Sequence, residues 1–114
     1  MALEQNFQIW RGETLVVDCQ VIDPAGTGIN IAGFTIVWQL GTALTKSTTA
    51  GTIVLTAPAT GWFRFTLSST ETLALSKAQS SYDHECKVRD LMAKVSAIFY
   101  GKVSIKGTII TVGI

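Results

Sequence analysis

Over residues 82–89 the chain alternates without a fault, with Tyr82, His84, Cys86 and Val88 on one side and Asp83, Glu85, Lys87 and Arg89 on the other. Successive side chains of a strand point to opposite faces, so this stretch has one face for a core and one for water. The same period of two sets Phe34, Ile36, Trp38 and Leu40 against Thr35 and Gln39. It sets Leu15, Val17, Cys19 and Val21 against Asp18 and Gln20, and Phe63, Phe65 and Leu67 against Trp62, Arg64 and Thr66. Runs of this kind, rich in Val, Ile, Thr, Phe and Trp, are strands, and helix is nearly absent.

Glycine and proline punctuate the runs. Asp23-Pro24-Ala25-Gly26-Thr27-Gly28 is a turn cluster, since proline presets one dihedral and glycine accepts positive φ. Phe7 and Ile9 open a first strand, and Arg11-Gly12-Glu13 separates it from the Leu15 run. An edge strand or hairpin is expected near residues 43–47, a strand follows at 52–56, and Pro58 closes that region. Residues 95–100 form a strand, Gly101 turns the chain, and Val103, Ile105, Gly107 and Ile109 continue beyond it. Residues 68–77 are the one helical candidate, with Ser69 or Thr70 as the cap and Glu71 near the start, where the helix dipole favours an acid. About eight strands with turn signals roughly every 8–12 residues predict an all-β fold, an antiparallel β-sandwich with at most one short helical turn. A chain of 114 residues makes a single domain, 1–114. Its expected core is Leu15, Val17, Val21, Phe34, Ile36, Trp38, Leu40, Phe63, Phe65, Tyr82, Val88, Val103 and Ile105.

Charge and motif content close off several kinds of chemistry. Nine Lys and Arg against eight Asp and Glu leave a net charge of +1, too little to draw the molecule onto nucleic acid or an acidic membrane. Lys87, Arg89, Lys94, Lys102 and Lys106 make the last third basic, yet no aromatic side chains interleave with them as a nucleic-acid surface requires. The glycines are scattered and form no Gly-rich turn into a helix that could cradle phosphate. No apolar run approaches the roughly 18 residues of a membrane span. The first six residues carry neither the basic nor the apolar region of a secretory signal, so synthesis in a cytoplasm is expected.

His84 is the single histidine, and its neighbours Asp83 and Glu85 point to the opposite face. Cys86 lies two positions on, about 6.5–7 Å along a strand, too far for a direct bond between a nucleophile and its base. A four-ligand zinc site needs more Cys and His than the chain holds. No catalytic residue, metal or cofactor is therefore expected. A bridge between Cys19 and Cys86 across two sheets is geometrically possible, but a reducing cytoplasm favours free buried thiols.

What remains is surface for other proteins. Trp62 and Arg64 lie together on an outward face, and these residue types concentrate binding energy at interfaces. Ile110, Val112 and Ile114 give the last stretch a second apolar face, which something must cover. Asp18 and Asp23, with Glu13, are opposite in sign to Lys102 and Lys106, with Lys94, which suits acidic-to-basic contact between neighbouring copies. These residues are the expected interface, and the expected partner is protein, other copies in a homo-oligomer or ring included, with no nucleic acid and no membrane. A carbohydrate-binding module is the competing class, and only Trp62, Trp10 and Tyr100 could form its aromatic platform.

Three stretches together resemble the small immunoglobulin-like β-sandwich structural proteins of tailed bacteriophages and prophages. Phe7-Gln8-Ile9-Trp10-Arg11-Gly12-Glu13-Thr14 is similar to the family's opening strand and Arg-Gly-acid-Thr element, and Ile31-Ala32-Gly33-Phe34-Thr35 to its Leu-Thr-Gly-x-Thr lead into the next strand. Gly61-Trp62-Phe63 and Tyr82-Asp83 resemble later strand starts, and Gly101-Lys102-Val103-Ser104-Ile105 the closing Gly-x-Val-x-Ile strand. The turn at residues 89–94 lacks the glycine that pattern usually has. The order Cys19, Trp38, Cys86 resembles the Cys, Trp, Cys hallmark of immunoglobulin domains, although Tyr82 stands four residues before the second Cys where a tyrosine corner wants two. The resemblance implies a virion structural protein without an active site, present in many copies in a tail, baseplate or fibre attachment or on a head. Its partners would be itself and other virion proteins.

Overall fold

Within residues 3–75 and 81–106, which the computed structural model describes, the chain is all-β, with nine strands in two sheets, one short helix and one 3-10 turn. The larger sheet contains β1 (Leu3–Glu4), β2 (Phe7–Trp10), β4 (Thr35–Leu40), β5 (Leu44–Ser47), β8 (Ser81–Arg89) and β9 (Val95–Lys106). Its order is β1-β9-β8-β4-β5, with β2 also paired to β9. The smaller sheet contains β3 (Leu15–Gln20), β6 (Ile53–Ala57) and β7 (Trp62–Leu67), with β7 in the middle. The 3-10 turn Pro58–Thr60 leads into β7, and helix α1 (Ser69–Leu73) follows it.

The alternation read from the sequence decides which face of each strand is dry. β8 buries Tyr82, His84, Cys86 and Val88 and exposes the four charged residues between and after them, while β7 buries Phe63, Phe65 and Leu67. Trp38 of β4 stacks on Phe65 of β7 with ring centroids 4.5 Å apart and 26° between planes, so the sheets meet ring on ring. Every expected core residue belongs to this cluster, with Leu15, Val17 and Phe34 partly buried at its rim and the others buried. Ile9, Ile31, Ile53 and Leu75 join it from shorter runs that alternation alone does not single out.

The chain departs from a purely antiparallel plan at its start. β1 and β2 run parallel to β9, with Leu3 opposite Phe99 and Phe7 opposite Val103, so the larger sheet is mixed. Gly101 does not turn the chain, because β9 continues unbroken through it. A Cβ there would stand 2.3 Å from the Gln5 carbonyl oxygen, so the glycine is needed to admit the bend between β1 and β2. Backbone bonds fix that bend: Gln5 N–H donates to the Tyr100 carbonyl and Lys102 N–H to the Asn6 side-chain oxygen.

The helix cap also differs from expectation. Ser68 is the N-cap of α1, and it exchanges bonds with Glu71 in a capping box that satisfies two orphan helix donors. Ser76 and Lys77, the end of the expected helical stretch, lie outside the described residues, as do Gly107 and Ile109. In the glycine-free turn after β8, Ala93 takes the left-handed conformation at φ 63°, while Asp90 accepts bonds from the N–H groups of Met92 and Lys94.

Trp38 carries the contact between the sheets and is fully buried. Trp38→Ala should lower unfolding stability by roughly 3–5 kcal/mol in denaturant titration. Stability unchanged from the parent would contradict its place at the centre of the core.

Candidate functional site at the open edge of β3

The N-terminal strands are spent on β9, and that leaves β3 at the margin of the smaller sheet. β3 pairs with β7 from Leu15–Leu67 to Gln20–Trp62, and among the described residues no strand pairs with its other side. A free strand edge presents a row of backbone donors and acceptors to any added strand. The two paired strands differ in exposure. Leu15, Val17 and Cys19 point inward as Phe63, Phe65 and Leu67 do on β7, yet they are only half-buried where their β7 partners are buried. A groove of about 1190 Å³ runs beside them, walled on the far side by Phe7, Ile98 and Phe99.

The outer face of the smaller sheet brings together three of the expected interface residues. Arg64 Nε donates to Asp18 Oδ1 at 2.6 Å across the β3–β7 pair, and Trp62 is 38% exposed one step along the same face. Val16 and Val54, both exposed, flank this ion pair. Lys102 and Lys106 lie on the other sheet, and Lys102 pairs with Asp83 at 2.5 Å across β8–β9. Asp23 spends its carboxylate on the N–H groups of Ala25 and Thr27, holding the turn that proline and glycine begin. The acidic and basic residues thus do not form two facing patches. Asp18 and Lys102 are engaged within the molecule. Ile110, Val112 and Ile114 lie outside the described residues.

No aromatic platform forms either. Trp62 is on the smaller sheet, while Trp10 and Tyr100 are on the larger one, opposite Lys106 and Glu4 of the β9 pairing and so about six residues, roughly 20 Å, apart along it.

His84 has both ring nitrogens engaged in the core. Trp38 Nε1–H donates to Nδ1 at 3.1 Å, which places the ring proton on Nε2, and Nε2–H donates to the Gln5 carbonyl. Phe7 packs edge-on against the ring at 5.0 Å. The side chain is a tether between the central tryptophan and the N-terminal bend, a part the sequence signals only by placing a polar residue on an apolar face. Burial holds its pKa below the usual 6.5, against the smaller opposing effects of the Gln5 bond and Asp83.

Cys19 and Cys86 are free thiols on the inward faces of opposite sheets. Burial, helped by the charge of Asp18, pushes Cys19 up to about 12, and burial pushes Cys86 up as well, with Cys19 and Glu85 adding to it. At neutral pH both stay protonated, and the thiol is a poor nucleophile compared with the thiolate. Among the described residues no three His, Cys, Asp or Glu side chains gather as a metal site. No protein-family model matches the chain, and no curated protein matches it.

Two solution measurements follow from these bonds. Because the unfolded His84 binds a proton near pH 6.5 and the folded one resists it, stability is full above that value and falls as pH drops from there toward the lower folded pKa. In His84→Gln this part of the slope should disappear from denaturant titrations, and a slope equal to the parent's would contradict the tether. The melting temperature should be nearly the same with and without reductant, since buried reduced cysteines act as small hydrophobes. A large fall on adding reductant would show instead that the two thiols are bridged.

Proposed function

We propose that this chain is a non-enzymatic structural part of a tailed-phage virion, an immunoglobulin-like sandwich used in several copies in the tail or baseplate. One observation supports the reading: among the described residues β3 has a strand partner on one side only, and an apolar groove lies beside it. An edge left in that condition is a hazard for a solitary protein and a joint for one that works in an assembly.

The strand order supports the immunoglobulin-like part of the proposal. With β3, β4, β5, β6, β7, β8 and β9 taken as B, C, C′, D, E, F and G, the sheets are B-E-D and C′-C-F-G, the order of variable-type domains with the N-terminal strands moved onto G. Cys19, Trp38 and Cys86 then sit on B, C and F, and Trp38 is the register partner of Cys86. The place two before Cys86 is taken by His84, which bonds back to the backbone at Gln5. The resemblance of the three sequence stretches to phage sandwich proteins supplies the virion context, and synthesis in the bacterial cytoplasm goes with it. Protein is the partner class this surface suits, and a nucleic acid or a membrane is not.

The test is the composition of the particle. Quantitative mass spectrometry of particles purified from cells that make the encoding phage or prophage should find this chain at several copies per virion. Its absence from purified particles, with the protein left in the cell lysate, would overturn the virion reading.

A further inference from the structure

His84 joins two parts of the molecule that are held with very different strength, and only its neutral ring satisfies both. Trp38 Nε1–H needs an acceptor at Nδ1, and the Gln5 carbonyl needs a donor at Nε2. An imidazolium carries a proton on each nitrogen, so Nδ1–H would face the indole N–H at 3.1 Å, donor against donor. The indole is fixed, being fully buried and stacked on Phe65. The imidazole is the ring that can move, and the side open to it is the bend, where Glu4, Gln5 and Asn6 are all exposed.

The chain on that side divides into a firm part and a loose one. β2 is anchored by buried Ile9, by half-buried Phe7, and by Arg11 just beyond it, which donates to the carbonyls of Leu73 and Leu75. Residues 3–6 bury no side chain, and even Leu3 is 51% exposed. They stay on β9 through the Leu3–Phe99 and Glu4–Tyr100 pairing, the Gln5 N–H on Tyr100, the Lys102 N–H on Asn6 and the His84 bond to Gln5. A segment with few buried apolar contacts and exposed backbone bonds opens at low cost. We propose that protonation of His84 swings the ring toward the bend and releases residues 3–6 from β9, pivoting between Asn6 and Phe7 and leaving β2 in place. Acid would then uncover the part of β9 that β1 pairs with, Phe99 and Tyr100. The switch goes beyond the assembly reading and does not depend on it.

The surroundings of the ring offer the new charge little besides water. On β8, Asp83 and Glu85 lie on the opposite face and are paired with Lys102 and Lys87, while Tyr82 and Cys86 share the buried face with His84. β4 meets the ring with Trp38 and its register partner Leu40, β2 with Phe7, and β9 with Phe99 and Gly101, none of them charged. Cys19 of β3 lines the same groove, and burial keeps both thiols protonated. β1 brings only Glu4, exposed and opposite Tyr100. Burial therefore outweighs the Gln5 bond and Asp83 in resisting the charge, and hydration through the opened bend is what relieves it.

The test is an NMR titration of the full chain from about pH 8 down to the onset of global unfolding. The His84 ring-nitrogen shifts, the Trp38 indole N–H shift and the exchange protection of the Gln5 and Lys102 amides should change with one shared midpoint. Corrected for intrinsic exchange, protection at those two amides should fall by roughly tenfold or more, while the amides of β2 and β7 keep theirs. His84→Gln should abolish the pH dependence at Gln5 and Lys102. Asn6→Ala removes the Lys102 acceptor without touching the core, and by favouring the open segment it should move the His84 midpoint up toward its ordinary value. Level protection through the His84 titration, a loss shared by β7 at the same pH, or a His84 that stays neutral until the whole protein unfolds would each overturn the switch. So would a pH-dependent loss that persists in His84→Gln, or an unmoved midpoint in Asn6→Ala, which keeps the test decisive should His84→Gln fail to fold.

Discussion

The placing of residues 3–10 governs the rest of the molecule. By pairing parallel to β9, β1 and β2 extend the larger sheet, and among the described residues β3 is left at the margin of the smaller one. Three local features hold them there. Gly101 makes room for the bend at Gln5, Asn6 receives the Lys102 N–H, and His84 holds the Gln5 carbonyl from inside the core. The last bond links the bend to Trp38, since the same imidazole accepts the indole N–H. A histidine that is neutral and has the ring proton on Nε2 fits both partners at once, and protonation of Nδ1 would remove the acceptor that Trp38 uses. The edge at β3 and the pH sensitivity of the core therefore share one origin.

A different device joins β5 to α1. Lys46 of β5 is 6% exposed and its ammonium lies 2.7 Å from Glu71, which also closes the capping box of α1. The Lys46 ammonium and the Ser68 N–H hold the Glu71 carboxylate below its usual range. One carboxylate thus ends a helix and neutralises a buried cation, and a charge in such a place is tolerable only while its partner remains. Thr72, next in the helix, is fully buried and ties α1 to the turn before β3. Among the described residues no buried side-chain nitrogen or oxygen lacks a hydrogen-bond partner, so these polar groups cost little to enclose.

The all-β class and the core were legible because alternation is a strong signal. Phe34 to Leu40 and Tyr82 to Arg89 can bury one face only as strands, and the residues so marked are those that pack together. Pairing was not legible. Whether Phe7–Trp10 joins β3 or β9 depends on Gly101 and His84, far along the chain, and neither carries a local sign of that role. Gly101 looks like a turn, since a glycine needed for a close approach and one needed for a bend are the same letter. Charge was misleading for a related reason. Asp18 and Lys102 suggest complementary ends in one dimension, but register sets Asp18 beside Arg64 and Asp83 beside Lys102. Lys46 gave no hint of its burial, because its partner Glu71 stands beyond two intervening strands, β6 and β7.

Those internal ion pairs bear on how such a surface can be specific. Asp18 with Arg64, Lys102 with Asp83, and Lys87 with Glu85 at 3.5 Å are cross-strand or neighbouring pairs on exposed faces, where water and salt screen them and they add little to stability. Their larger effect is on contacts with other molecules: a charge already matched within its own sheet offers little attraction to a neighbour and must be desolvated if a flat face is to be covered. The inner side of the β3 edge bears no such cost. Leu15, Val17 and Cys19 are uncharged, and among the described residues no strand pairs with the backbone on that side. Recognition there is set by the spacing of side chains along a strand and by the direction of its amides, so it depends on register more than on charge. On the proposed assembly reading, the outer faces remain water-compatible while one uncharged seam carries association.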